Sequence, residues 1–295
     1  MTWFSIQKFW GLPALALLLC LSGFPALAQE GPQDGEEDTL KRPIVVELFT
    51  AVDCDACVYA DRMLYDAMQK DNVIALSCHI KGMGDGGEAQ KIRKGPMDPC
   101  IFRQWTYETS RRTLDTNLRI PYMVVNGMEE ANAGHLGYFL QIMASYNYQG
   151  KNKTLEIPMR WKDKETLSVY LPTAAGNRYW HSASLWLVRY KDIIIQRVDQ
   201  GVNKGRVLRF SNVIQDMRHV GKWHGQHRVI DFKVPPAQGG DERGGYVILA
   251  QEMMGEPMLA AGILKDYAHP NDKKIPQAQT SQPQAPQAVP IAPSN

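Results

Sequence analysis

Between two apolar runs lies a pair of cysteines three positions apart, and this arrangement constrains the fold more than any other feature of the chain. Ile44-Val45-Val46-Glu47-Leu48-Phe49 is a short, β-rich apolar run suited to a buried strand. Cys54-Asp55-Ala56-Cys57 follows it, and then Ala60, Met63, Leu64, Ala67 and Met68 recur at helical spacing. Asn72 opens a second strand, Val73-Ile74-Ala75-Leu76. The stretch predicts strand, helix and strand, with a dithiol at the strand–helix junction.

That placement has chemical consequences. The first turn of a helix has N–H groups without intrahelical partners, and the macrodipole adds partial positive charge there. Both favour a thiolate at Cys54, which makes it the expected attacking sulfur. Cys57, one turn on, is the expected resolving sulfur. Asp53 and Asp55 flank Cys54 and act against a second negative charge. The pair is therefore expected to behave as a reductase or a structural disulfide more than as a strong oxidant.

Compartment and cysteine count bear on the same question. Lys8, the apolar run Leu12–Leu21 and Ala26-Leu27-Ala28 predict a secretory signal over residues 1–28. Its apolar core is shorter than the ~20 residues that span a bilayer, so no stable membrane span is expected after cleavage. Cys20 is expected to leave with the signal, and a periplasmic or secreted location follows. The remaining cysteines are Cys54, Cys57, Cys78 and Cys100, an even number that favours disulfides in an oxidising compartment. Three pairings are possible, and spacing prefers Cys54 with Cys57, which leaves Cys78 for Cys100.

A formal charge of +2 falls to 2 − 1 = +1 once Lys8 is removed with the signal. A near-neutral chain has no electrostatic footprint for nucleic acid, so that class of partner is excluded. Residues 29–41 read as a flexible leader, and residues 267–295, rich in Pro, Gln and Ala, as a disordered tail. Within residues 42–150 strands alternate with helices. A second helix is expected over about Ile101–Leu118, a strand over Pro121–Val125 ended by Asn126-Gly127, and a final helix over about Leu136–Tyr146. Residues 151–266 have an all-β texture, with strands expected at Leu167–Leu171, Ser184–Val188, Ile193–Val198, Val229–Val234 and Tyr246–Gln251. One short helix is expected near Asn212–Met217.

These residues carry a resemblance. Glu47-Leu48-Phe49-Thr50, Cys54-x-x-Cys57, Ala60-Asp61, Ile74-Ala75-Leu76 with His79, Arg103-Gln104 and Pro121-Tyr122-Met123-Val124-Val125-Asn126-Gly127 are similar to a family of secreted bacterial thioredoxin-like proteins known as a domain of unknown function. The second half adds Gly201-Val202-Asn203-Lys204-Gly205-Arg206, Asn212-Val213 and Gly221-Lys222-Trp223-His224-Gly225. The match covers about Pro43 to Leu264 and implies family membership without lending a reaction. With the residue patterns, it sets the expected fold class: an α/β thioredoxin-like domain followed by an all-β sandwich-like domain. In thioredoxin folds a cis-proline before the third core strand lies against the dithiol, which makes Pro121 the third expected site residue. The chain departs from the family at Asp55-Ala56, at Val58-Tyr59 and over Lys81–Asp98, a segment bracketed by Cys78 and Cys100. A Cys78–Cys100 disulfide would clip that segment.

The site expectation is thus catalytic Cys54 and Cys57 with Pro121, a second disulfide of Cys78 and Cys100, and no cofactor. Expected partners are thiol- or disulfide-containing exported proteins, or small thiols. The rival is a zinc or copper site drawn from Cys54, Cys57, Cys78, His79 and Cys100. A non-catalytic scaffold with an inert Cys54–Cys57 disulfide is the other alternative. His219, His224 and His227 near Trp223 read as a solvated loop cluster, Arg206, Arg209 and Arg218 as solvated or paired side chains, and Gly201–Arg206 as a hairpin turn rather than a phosphate loop.

Overall fold

The computed structural model describes residues 42–80, 98–111, 118–174, 182–235, 243–253 and 255–265. The expected signal, leader and tail, the segment 81–97 and the end of the second predicted helix lie outside them.

The first half of the described chain forms β1 (Ile44–Thr50), α1 (Asp55–Ala67), β2 (Val73–His79), α2 (Pro99–Arg111), β3 (Tyr122–Val125), β4 (Glu129–Ala131) and α3 (Leu136–Tyr148). The second half supplies β5 (Leu155–Glu156), β6 (Met159–Trp161), β7 (Thr166–Leu171), β8 (Ala183–Arg197), β9 (Val207–Trp223), β10 (Arg228–Lys233), β11 (Gly244–Gln251) and β12 (Met258–Lys265). β1 runs parallel to β2 and antiparallel to β3. Its alternate residues Ile44, Val46 and Leu48 meet α1 and α3, while Val45 faces Ile74, Leu76, Val247 and Leu249. Phe49, Tyr107 and Tyr122 pack with Cys78 and Cys100 where α2 covers the sheet.

The expected fold class is corrected at this point. A thioredoxin-like α/β domain followed by a separate all-β domain does not form. Among the described residues twelve strands accompany only three helices, and nine strands drawn from both halves make one mixed sheet in the order β4-β3-β1-β2-β9-β8-β11-β12-β5. The join is β2 against β9, paired parallel at Ser77 and Val213. Asn212, at φ 46°, donates its side-chain N–H to the Ala75 carbonyl at 2.8 Å, so β2 does not end the sheet. A three-stranded sheet, β10-β7-β6, packs Leu167, Val169 and Leu171 onto Leu185, Leu187, Ile248 and Ala260 of the large one.

The reason lies in β8 and β9. Residues 184–188 and 193–198 read as two short strands, and Asn212–Met217 as a short helix. Instead β8 is one 15-residue strand and β9 one 17-residue strand, paired antiparallel over nearly their full length. Register shifts at Leu185/Trp186 and Arg189/Tyr190 bend the ladder. Polar residues inside these strands imitate loop punctuation: Arg209 and Arg218 of β9 face solvent, while Ser211 and Asn212 are buried in its interior.

One buried polar group ties the halves together. Arg103 of α2 forms an ion pair with Glu47 of β1, with Nη2 donating to Glu47 Oε2 at 2.9 Å. The Tyr107 hydroxyl donates to Glu47 Oε2 at 2.7 Å, and Arg103 Nη2 also donates to Gln251 Oε1 of β11 at 3.2 Å. All four side chains are almost fully buried.

Candidate functional site: a capped disulfide and its clamp

Cys54 is the N-cap of α1, with extended backbone at φ −149° and ψ 113°. The backbone N–H of Cys57 donates to Cys54 Sγ at 3.2 Å, and the two sulfurs are joined in a disulfide. A polar acceptor at this position satisfies one of the free N–H groups of the first turn, the work normally done by Ser, Asp or Asn. Cys54 is 8% exposed and Cys57 fully buried, so the outer sulfur is the one a partner can reach. Ile120 packs against Ala51, Cys54 and Cys57, and the bond from Ile120 to Pro121 is cis.

Cys78, at the end of β2, is bonded to Cys100 at the start of α2, 22 positions away. A loop of that length is worth on the order of 3 kcal/mol in the chain-entropy description. The four sulfurs of the rival metal set are therefore divided between two disulfides, while its one imidazole, the His79 ring, lies edge-on to Phe210 at 4.4 Å. Among the described residues no three side chains of His, Cys, Asp or Glu converge as metal ligands. His79 is half-buried, and desolvation pushes its imidazole down to about 4. In the other histidine cluster, His219 meets the Trp186 ring at 5.4 Å, and the buried Trp223 donates its indole N–H to the Gln226 carbonyl at 2.8 Å.

The residues that sequence reasoning missed come from the turn between β8 and β9. Asn203 is fully buried and donates from Nδ2 to the carbonyls of Val52 at 2.8 Å and Cys54 at 3.1 Å. Arg206 donates from Nη1 to Asn203 Oδ1 at 2.7 Å and pairs with Asp55 at 2.6 Å. The backbone N–H of Val202 donates to Asp53 Oδ1 at 2.7 Å. Gly201 is obligatory here, because its φ is +75° and an added Cβ would lie 1.8 Å from Asp53 Oδ1. Val52 and Val58, on either side of the cysteines, pack onto Val198, Leu208 and Phe210.

Both carboxylates expected to oppose a thiolate are thus engaged, Asp53 by a backbone N–H and Asp55 by a guanidinium. The available signal was the glycine-flanked Gly201-x-Asn-x-Gly205-Arg206 pattern. A turn with a buriable Asn and a cation at its end is equipped to bind another loop as well as to reverse the chain. Arg209 stacks over the Tyr65 ring at 5.2 Å.

A cleft of about 720 Å³ opens beside the disulfide between α1 and the start of β9, bordered by Asp55, Tyr59, Asp61, Arg206 and Phe210. Another cavity, of about 830 Å³, contains none of the Cys54–Cys57 segment and lies by Asn126, Tyr146 and Met258. No helix among the described residues is long and apolar enough to cross a membrane.

Fold and site together define a class: a mostly-β protein on one curled mixed sheet, with a helix-capping CxxC disulfide held by a distant hairpin turn. The chain belongs to the DUF1223 family, described as a protein of unknown function, whose profile matches residues 45–251. No curated protein matches the chain. A crystal structure of an Agrobacterium tumefaciens protein is similar at a TM-score of 0.56 and 21% identity, covering 77% of this chain and 95% of that one. HBP35 of Porphyromonas gingivalis is similar at a TM-score of 0.51 and 15% identity, covering 82% of this chain and 81% of that one. At these identities the likeness concerns the fold alone.

Proposed function

We propose that this protein is an exported thiol–disulfide oxidoreductase acting through Cys54 and Cys57 on thiol- or disulfide-containing exported proteins or small thiols. The observation that carries the reading is the hydrogen bond from the Cys57 N–H to Cys54 Sγ at the N-cap of α1. When the pair is reduced, the same N–H and the helix dipole stabilise negative charge on the outer sulfur and leave the buried one as a thiol. Cys54 attacks a substrate disulfide, forming a mixed disulfide and releasing one substrate thiolate. Cys57 then attacks Cys54, closing the protein disulfide and releasing the second substrate sulfur. The Ile120–Pro121 segment, through the packing of Ile120 on the pair, borders the approach of the substrate chain. Two disulfides within one chain support residence in an oxidising compartment.

The test is equilibration of the full-length protein in glutathione or dithiothreitol buffers, with the Cys54–Cys57 state read by alkylation and mass spectrometry. Exchange at a defined potential that is abolished in Cys54→Ser is the expected result. A Cys54–Cys57 bond that stays closed under mild reduction would refute the reading and leave an inert structural disulfide.

A further inference from the structure

The buried face of α1 consists of Cys57, Ala60, Met63, Leu64, Ala67 and one carboxylic acid, Asp61. Asp61 is only 6% exposed. Its Oδ2 accepts from the Thr50 hydroxyl at 3.2 Å, while Oδ1 is buried without a hydrogen-bond partner. An apolar residue would fit this face at lower cost, so the acid calls for an explanation. Asp61 stands one helical turn after Cys57, which puts the two Cβ atoms about 5–6 Å apart. Helical side chains lean towards the helix N-terminus, so the carboxyl leans to the turn that holds Cys57. Asp61 is also among the residues that line the cleft between α1 and β9.

Resting on the exchange reaction proposed above, we infer that Asp61 is the proton acceptor and donor for Cys57. In the mixed disulfide the Cys57 thiol gives its proton to the Asp61 carboxylate, directly or through one water, as its sulfur attacks Cys54 Sγ. The Cys54–Cys57 bond forms and the bond from Cys54 to the substrate breaks. The substrate sulfur leaves with the bonding pair and takes a proton from solvent. Over both steps the protein dithiol loses two electrons and the substrate disulfide gains them. In the opposite direction protonated Asp61 returns its proton to Cys57 as that sulfur leaves.

Burial pushes the Asp61 carboxyl up to about 7, against the lowering effect of the Thr50 hydrogen bond, so the group can change protonation at neutral pH. The groups around it are few. On α1, Asp55, Tyr59, Arg62 and Tyr65 border the same cleft, and Arg206 and Arg209 face it from β9 and its approach. β1 contributes uncharged Thr50, and His79 of β2 meets the ring of Phe210, which borders the cleft.

The experiment follows closure of the mixed disulfide formed between the reduced protein and glutathione disulfide, from pH 5 to 9, by rapid quench and mass spectrometry. The wild type is expected to show an inflection near pH 7 in the closure step. Asp61→Asn should slow that step on the order of a hundredfold above the inflection, match the wild type below it and abolish the inflection, while alkylation of Cys54 keeps its rate. Thr50→Val keeps the carboxyl but removes its hydrogen bond, and should move the inflection upward. This second variant decides the matter if Asp61→Asn does not fold. Closure in Asp61→Asn that superimposes on the wild type, or an unmoved inflection in Thr50→Val, overturns the role of Asp61 and leaves the oxidoreductase reading standing. A wild type that never forms the mixed disulfide overturns both.

Discussion

Replacing Asn203 by Ala removes the centre of the clamp over the cysteine segment, and the structure gives the size of the effect. Two donations are lost, to the carbonyls of Val52 and Cys54, and Arg206 loses one of its two acceptors. A buried carbonyl left without a partner costs about 1–3 kcal/mol, with the low end applying to a group that retains access to water. The Val52 contact is partly buried and the Cys54 contact fully buried, so the sum is about 2–4 kcal/mol. Urea unfolding of the oxidised protein measures it, as a lower midpoint at an unchanged slope. The same variant should expose Cys54–Cys57 to dithiothreitol, and its reduction should be faster than in the wild type while Cys78–Cys100 keeps its rate. A stability change below about 0.5 kcal/mol, with reduction of Cys54–Cys57 unchanged, would show that the turn merely rests on the cysteine segment.

Two further perturbations test the interior. Arg103→Met leaves Glu47 buried without its cation and should cost about 3–5 kcal/mol, part of which the double variant with Glu47→Gln should restore; equal losses in the single and double variants would refute this. The third concerns pH. His79 has its folded-state value pushed down to about 4 from 6.5, so the unfolded chain binds more protons in that window and stability falls as pH falls through it. Asp61 is raised from 3.8 to about 7, so the folded chain holds the proton longer and stability falls as pH rises between those values. Between about 4 and 6.5 the two slopes oppose each other. Relative to the wild type, His79→Gln should therefore lose stability as pH rises across this window and Asp61→Asn should gain it, each on the order of 3 kcal/mol. Denaturation midpoints that vary with pH as in the wild type for both variants would contradict the assignment.

The chain declares its local chemistry better than its long-range pairing. Val46, Leu48 and Met63 repeat at the spacings of the elements they form, and the cysteines sit where a helix start was expected. The bond between Cys78 and Cys100 was preferred from spacing, and it closes β2 onto α2. What the sequence did not reveal was which strand lies beside β2. That neighbour, β9, is more than 130 positions away and is recognised through a single bridge and the side chain of Asn212. Its interior carries Ser211, Asn212 and Gln215, residues that read as a loop or helix in isolation and become strand when β8 supplies a full ladder. The clamp was hidden for a related reason. Asn203 and Arg206 show in the sequence only as a glycine-flanked turn, and their partners, Val52, Cys54 and Asp55, lie about 150 positions upstream.

This separation orders events in the life of the chain. Synthesis delivers Cys54 and Cys57 well before the turn that holds them, because the chain emerges from its N-terminus. A newly emerged cysteine pair is therefore without the restraint of that turn. Only when the 15- and 17-residue strands have joined does the turn at Gly201 descend over Asp53 and Asp55. Restraint of the sulfur pair is in this sense a late act, and a chain truncated between residues 58 and 200 would carry both cysteines and lack the turn that holds them.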